Sequence, residues 1–142
     1  MQLHFLAIAL LFTGLQCYAA DSVRITYDPG YPPPGVSTER AVVLVNRTFT
    51  WPGSDAEIDK YFNAVAEIVA ILEKTNCPPA MHSPTVSVQI DLGDRSLSRE
   101  CGLSATGVST SIGASAGELA NKQALERLLK LTIERSNALL RQ

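Results

Sequence analysis

The sequence predicts an α+β fold in the order ββαββα: a two-layer sandwich in which an antiparallel sheet of about four strands carries two helices on one face. Four short stretches have the apolar alternation or the β-branched composition of strands. Two longer stretches carry apolar residues at helical spacing, and segments rich in proline, glycine and serine separate the elements. Two hairpins in this order can form one sheet, and the apolar stripes of the helices then cover its apolar face.

The first twenty residues have the features of a cleaved export signal. The run from Leu3 to Leu15 is almost wholly apolar, and Ala19-Ala20 provides the small residues of a signal-peptidase site. A run of about thirteen apolar residues is too short to cross a bilayer, which takes about 20. We therefore predict a signal peptide over residues 1–20, a single domain over 21–142 and no stable membrane anchor. The alternative is that this segment forms an N-terminal helix of the mature fold.

Two strands precede the first helix. Residues 22–28 alternate, with Val23, Ile25 and Tyr27 on one face. The loop that follows has four prolines and two glycines in its first seven residues, which indicates an extended surface loop or a proline-rich ligand motif. The second strand is predicted over residues 41–51. Because its first half is apolar on both faces, we expect it to be a central strand of the sheet.

Sequence signals mark the start, the apolar face and the end of the first helix. Ser54 and Glu57 have the spacing of a capping box, in which each side chain bonds the backbone amide of the other residue. Asn76 and Pro78-Pro79 end the helix. Apolar residues then fall on one face of about five turns: Ile58, Tyr61, Phe62, Val65, Ile68, Val69 and Leu72.

Residues 85–103 predict a hairpin with a two-residue turn at Gly93-Asp94. The turn sets the register, which places Val88 opposite Arg99 and Val86 opposite Cys101 on the apolar face. Arg99 must then reach the rim of that face, or the register is wrong. The other face is polar and is either a solvated sheet face or a docking face. As a docking face it is the candidate binding surface, with Gln89, Asp91, Ser98 and Glu100 as its residues.

The cysteines predict one disulfide. The chain has three cysteines, and Cys17 leaves with the signal. Cys77 and Cys101 remain, and two cysteines in an exported chain most simply form a bridge. The alternative is a pair of buried free thiols.

A long second helix is predicted from residue 116 to about residue 141. The segment GASAGELA, residues 113–120, spans its start. The pattern G-x-S-x-G is typical of a serine nucleophile, whereas Ser115 and Glu118 also fit S-x-x-E at a helix start. His82 is the single histidine after the signal and lies before the serine, so no histidine follows it as a general base. We therefore predict a cap and no catalytic residue. The apolar face of this helix comprises Leu119, Leu125, Leu128, Leu129, Leu131, Ile133, Leu139 and Leu140.

Composition excludes several functions. The net charge is −2 and no basic face with interleaved aromatic residues is present, which argues against nucleic-acid binding. One histidine and two bridged cysteines cannot make a zinc site, and the nucleotide-binding glycine motifs are absent, so no metal and no cofactor are predicted.

The leading functional hypothesis is a small exported, non-enzymatic protein, periplasmic or secreted, that binds another protein as an inhibitor, immunity or accessory factor. One alternative is a carrier of a small apolar ligand between sheet and helices, and another is a small serine hydrolase using Ser115. The sequence leaves the oligomeric state open.

Overall fold

Seven elements follow one another in a computed structural model that describes residues 20–30, 34–35, 41–47, 55–80 and 84–140. Residues 1–19 of the predicted signal peptide and Ser54 lie outside the described residues, as does most of the proline-rich loop. The elements are β1 (Ser22–Asp28), β2 (Ala41–Asn46), α1 (Asp55–Leu72), β3 (Thr85–Leu92), β4 (Arg95–Ser104), β5 (Gly107–Val108) and α2 (Ala116–Leu140).

The strands form one antiparallel sheet in the order β2-β1-β3-β4-β5. With two helices packed against it, this is the predicted α+β sandwich. The sheet has a fifth strand because Gly107–Val108 folds back on the end of β4, where Val108 pairs with Leu103. A strand of two residues has no period to detect in a stretch rich in glycine and serine.

The predicted central position of β2 is wrong, because β2 lies at the edge of the sheet. Its apolar side chains lie on two different faces of the sheet. Val45 is buried in the core and Val43 packs against the core, whereas Val42 and Leu44 are exposed on the opposite face. An apolar strand is therefore buried on both sides only if another element covers its second face, and here none of the described elements does.

The predicted register of the β3–β4 hairpin is confirmed. Val88 lies opposite Arg99, Val86 lies opposite Cys101, and Gly93 has a φ of 62° in the turn. Arg99 reaches the end of α1, where its Nη2 donates a hydrogen bond to the carbonyl oxygen of Leu72 at 3.1 Å. A cation at a helix C-terminus satisfies a carbonyl that has no partner within the helix and is favoured by the helix dipole.

The core lies between the apolar face of the sheet and the two helices. The predicted stripe of α1 is buried, apart from the half-buried Ile58. Tyr61 and Thr132 share a buried hydrogen bond of 2.8 Å between α1 and α2. Burial raises the pKa of Tyr61 to about 12, and the hydrogen bond with Thr132 acts in the opposite direction.

The buried face of α2 is narrower than its apolar residues predict. Leu125 and Leu128 are fully buried, but Leu119 and Ile133 are nearly half exposed, so their predicted place on the core face is wrong. Small and polar residues share this face with Leu125 and Leu128 and are buried beside them: Asn121, Ala124 and Thr132.

The predicted disulfide between Cys77 and Cys101 is confirmed, with a Cα–Cα distance of 5.4 Å. It joins the segment after α1 to the middle of β4. Asn121 of α2 donates a hydrogen bond from Nδ2 to Cys77 Sγ at 3.3 Å, so the bridge also contacts the second helix. The disulfide therefore lies where strand β4 and both helices meet.

Candidate functional site

The candidate site is the face of the sheet that points away from the helices. We call it the open face. It is formed by alternate residues of β1 to β4, and none of the described helices covers it. Its residues are Ser22, Arg24, Thr26, Asp28, Val42, Leu44, Asn46, Thr85, Ser87, Gln89, Asp91, Ser96, Ser98 and Glu100.

The structure brings the four predicted binding residues together on the open face. Gln89 and Ser98 lie directly opposite each other on β3 and β4, and both are exposed. Asp91 and Glu100 lie one row to either side of this pair. Glu100 is exposed and Asp91 is half-buried. The four side chains therefore form one patch at the centre of the hairpin.

Short hydroxyl side chains bond the two carboxylates of the patch. Ser96 Oγ donates to Asp91 Oδ1 at 2.8 Å, and Ser87 Oγ donates to Glu100 Oε2 at 3.4 Å. The two carboxylates lie on different strands with the Gln89–Ser98 row between them. The structure therefore does not place the two carboxyl groups side by side.

Sequence reasoning missed the contribution of β1 to this surface. Arg24 is exposed and lies directly opposite Gln89, in the same row as Ser98. The alternation of β1 already places Arg24 on the face opposite Val23. The missing information was that β1, and not β2, pairs with β3. Arg24 gives the open face a cation beside its carboxylates.

Apolar residues border the open face on one side. In β2, Leu44 lies opposite Arg24 and Val42 lies opposite Thr26. Leu44 is 42% exposed and Val42 is 56% exposed. The open face thus changes from polar over β1, β3 and β4 to apolar over β2.

Ser115 occupies a helix start. Its Oγ accepts a hydrogen bond from the amide of Glu118 at 3.2 Å, as the cap prediction requires. The reciprocal bond is different, because the Glu118 carboxylate accepts from the amide of Ser111 at 3.1 Å rather than from Ser115. This second bond ties the preceding loop to α2. The other predicted cap joins Ser54 and Glu57, and Ser54 lies outside the described residues. His82 also lies outside them.

A cavity of about 420 Å³ lies in the groove between α1 and α2, on the outer surface of the helices. Charged side chains, among them Lys60, Arg127 and Glu134, line it together with apolar groups such as Leu131. The apolar-ligand alternative needs a space between sheet and helices instead. The described core there is filled by side chains that are at most 8% exposed.

Among the described residues, no three histidine, cysteine or acidic side chains lie close enough to share a metal ion. Neither of the described helices combines the length and hydropathy needed to cross a membrane.

Comparisons of the chain with protein-family models, with curated proteins and with solved structures find no match. The function is therefore argued from the residues and geometry of this chain.

Proposed function

We propose that this chain is an exported, non-enzymatic protein that binds another protein through the open face of its sheet. One observation carries the proposal: the helices cover one face of the sheet, and the other face exposes a row of side chains, Arg24, Gln89 and Ser98, that crosses three paired strands. An uncovered sheet face that is rich in hydrogen-bonding groups is a ready surface for a partner.

The strands hold this surface rigidly. Each of β1 and β3 is paired on both sides, and β4 is joined by the disulfide at Cys101 to the segment that follows α1. Side chains on a fixed backbone lose less conformational entropy on binding than side chains on loops. The open face can therefore bind with little reorganisation.

The chemistry of the open face fits a protein partner better than a nucleic acid. It combines one arginine, three carboxylates and several hydroxyl groups with the apolar border of Val42 and Leu44. Protein interfaces combine apolar contacts with hydrogen-bonding groups, and this surface offers both, whereas nucleic-acid binding requires a surface dominated by cations.

The disulfide is compatible with an oxidising compartment. Together with the signal-like residues 1–20, it supports a periplasmic or secreted protein. A small exported domain that works by binding is suited to act as an inhibitor, immunity or accessory factor.

The direct test is capture of the partner from the exported fraction of the producing cell. We expect a triple variant, Gln89→Ala, Asp91→Ala and Glu100→Ala, to lose at least about tenfold in capture, since each removed group contributes on the order of 1 kcal/mol.

A matched control replaces three exposed polar residues of α2, Gln123, Lys130 and Asn137, by alanine. This control should capture the partner as the unmodified protein does. Equal capture by the open-face variant would refute the proposed surface.

A further inference from the structure

The two sides of the sheet end in very different edges. On one side, α2 closes the backbone groups of β5. The amide of Val108 donates to Glu126 Oε1 at 3.0 Å, and Lys122 Nζ donates to the carbonyl oxygen of Val108 at 2.9 Å. Lys122 also donates to Glu126 Oε1 at 2.6 Å. The rest of this side is the outer edge of β4, which carries three charged residues, Arg95, Arg99 and Glu100. Charges and side-chain bonds of this kind prevent a further strand from pairing.

On the other side, no hydrogen bond from a described residue closes the outer edge of β2. Its sequence, AVVLVN, contains no charge, no proline and no glycine. The amide of Arg47 donates to the carbonyl oxygen of Asp21 at 2.9 Å, directly opposite it in the β1–β2 register. Hydrogen-bonded and non-hydrogen-bonded pairs alternate along an antiparallel ladder. Val45 and Val43 therefore bond to β1, and the backbone N–H and C=O groups of Val42 and Leu44 point outwards.

The side chains at these outward positions are also apolar and exposed. Val42 is 56% exposed and Leu44 is 42% exposed, both on the open face. An edge that combines outward backbone groups with exposed apolar side chains is a template for strand addition.

The composition of β2 selects its partner. An uncharged strand offers no counter-charge to a charged peptide, but it fits a strand of the same composition. Antiparallel pairing about a twofold axis at Val43 places Val42 opposite Leu44 of a second copy and Ala41 opposite Val45. All five pairs over residues 41–45 are then apolar, and four backbone hydrogen bonds form, two at each Val42–Leu44 pair.

We propose that β2 pairs with β2 of a second copy of this chain, antiparallel about a twofold axis at Val43, to join two sheets into one. The assembly closes at two copies, because the opposite side of each sheet is protected by Lys122, Glu126 and the charges of β4. A standard protein interface buries about 1,600 Å², and one short strand buries much less. We therefore expect a weak dimer with a dissociation constant of about 10 µM to 1 mM.

Sedimentation velocity of the full mature chain over that concentration range tests the proposal. The unmodified protein should shift from monomer to dimer without larger species. Leu44→Lys places a charge on the edge and should keep the protein monomeric throughout. Thr26→Lys is the matched control, because it adds the same charge on the same face, one strand inwards. It should dimerise as the unmodified protein does.

Amide hydrogen exchange of the unmodified protein gives a test that needs no variant. The amides of Val42 and Leu44 should exchange about tenfold more slowly when about nine-tenths of the chains are dimeric, since only pairing protects outward amides. The amides of Val43 and Val45 should not change with concentration.

Several results would overturn the proposal. These are a protein that stays monomeric at all concentrations, an assembly larger than a dimer, or exchange at Val42 and Leu44 that does not depend on concentration. A dimer that survives Leu44→Lys but is lost in Thr26→Lys would place the contact on the open face instead.

Discussion

The hydroxyl of Ser115 has a structural partner, the amide of Glu118, at the first turn of α2. That bond satisfies one of the four amides that lack a partner within the helix. The side chain of Glu118 reaches back to the loop rather than to Ser115, so the two residues fix both the helix start and its entry. The role of Ser115 is therefore set by what its oxygen accepts, not by the glycines that flank it.

Replacing Ser115 tests this role. We expect Ser115→Ala to lower the free energy of unfolding by about 1 kcal/mol, the usual cost of losing an N-cap. Urea denaturation measures this change. Ser111→Ala is the control, because it removes an exposed hydroxyl from the same segment and leaves the backbone amide bonded to Glu118.

The same pair of variants tests the hydrolase alternative. We expect a fluorophosphonate probe to leave the unmodified protein unlabelled. Labelling that disappears in Ser115→Ala would establish a nucleophile and contradict the cap as its sole role.

We expect Glu126 to make the stability of the fold depend on pH in the acid range. The hydrogen bond from Lys122 is the largest effect on the pKa of Glu126 and lowers it below its ordinary value. The bond from the amide of Val108 also lowers this pKa, whereas partial burial raises it. A carboxyl with a lowered pKa in the folded state stabilises the fold above its unfolded-state pKa. This stability is lost as the pH falls through the folded-state pKa.

We therefore expect stability to decrease as the pH drops below about 4.5, the ordinary value for a glutamate. Glu126→Gln should make that decrease shallower. Urea denaturation between about pH 3 and 6 measures it. Glu100→Gln removes an equal charge from an exposed position of the open face and serves as the control. An unchanged pH profile in Glu126→Gln would show that the bonds to Lys122 and Val108 do not contribute.

Among the elements, the hairpin was the most predictable and β2 the least. The alternation of apolar and polar residues in β3 and β4, together with Gly93 in the turn, predicts one register. The structure shows the same register. No such local constraint exists for β2, because its apolar residues fit a buried strand and an edge strand equally well. Its position depends on which strand pairs with β3, and this is decided by long-range packing that no local pattern contains.

The candidate site was predictable to a similar extent. Gln89, Asp91, Ser98 and Glu100 follow from the hairpin alternation alone. Arg24, Val42 and Leu44 join the same face only because β1 lies between β2 and β3. The short strand β5 and its bonds to Lys122 and Glu126 could not be predicted, since two residues carry no period.

The disulfide links these elements, and its reduction tests how much it contributes. It closes a loop of sequence separation 24 between Cys77 and Cys101. Closing a loop of this length restricts the unfolded chain and contributes on the order of 3 kcal/mol. We expect reduction to lower the unfolding free energy by about that amount, as measured by urea denaturation with and without a reducing agent.

A double variant with alanine at both cysteines is the control for this experiment. It should be insensitive to the reducing agent. Equal stability of the oxidised and reduced protein would contradict a stabilising role for the bridge.

At the scale of the whole molecule, the two faces of the sheet differ. The helices, the core and the disulfide lie on one side of the sheet, and the exposed polar rows lie on the other. The central claim is that this second side is where a protein partner binds. The claim concerns a location, so the most direct test reports location.

Site-specific photo-crosslinking in the producing cell provides that test. A photoreactive residue at Ser98 lies at the centre of the open face, and one at Lys130 lies on the exposed side of α2. The account predicts a discrete adduct with another protein from position 98 and none from position 130. An adduct from position 130 with none from position 98 would contradict it.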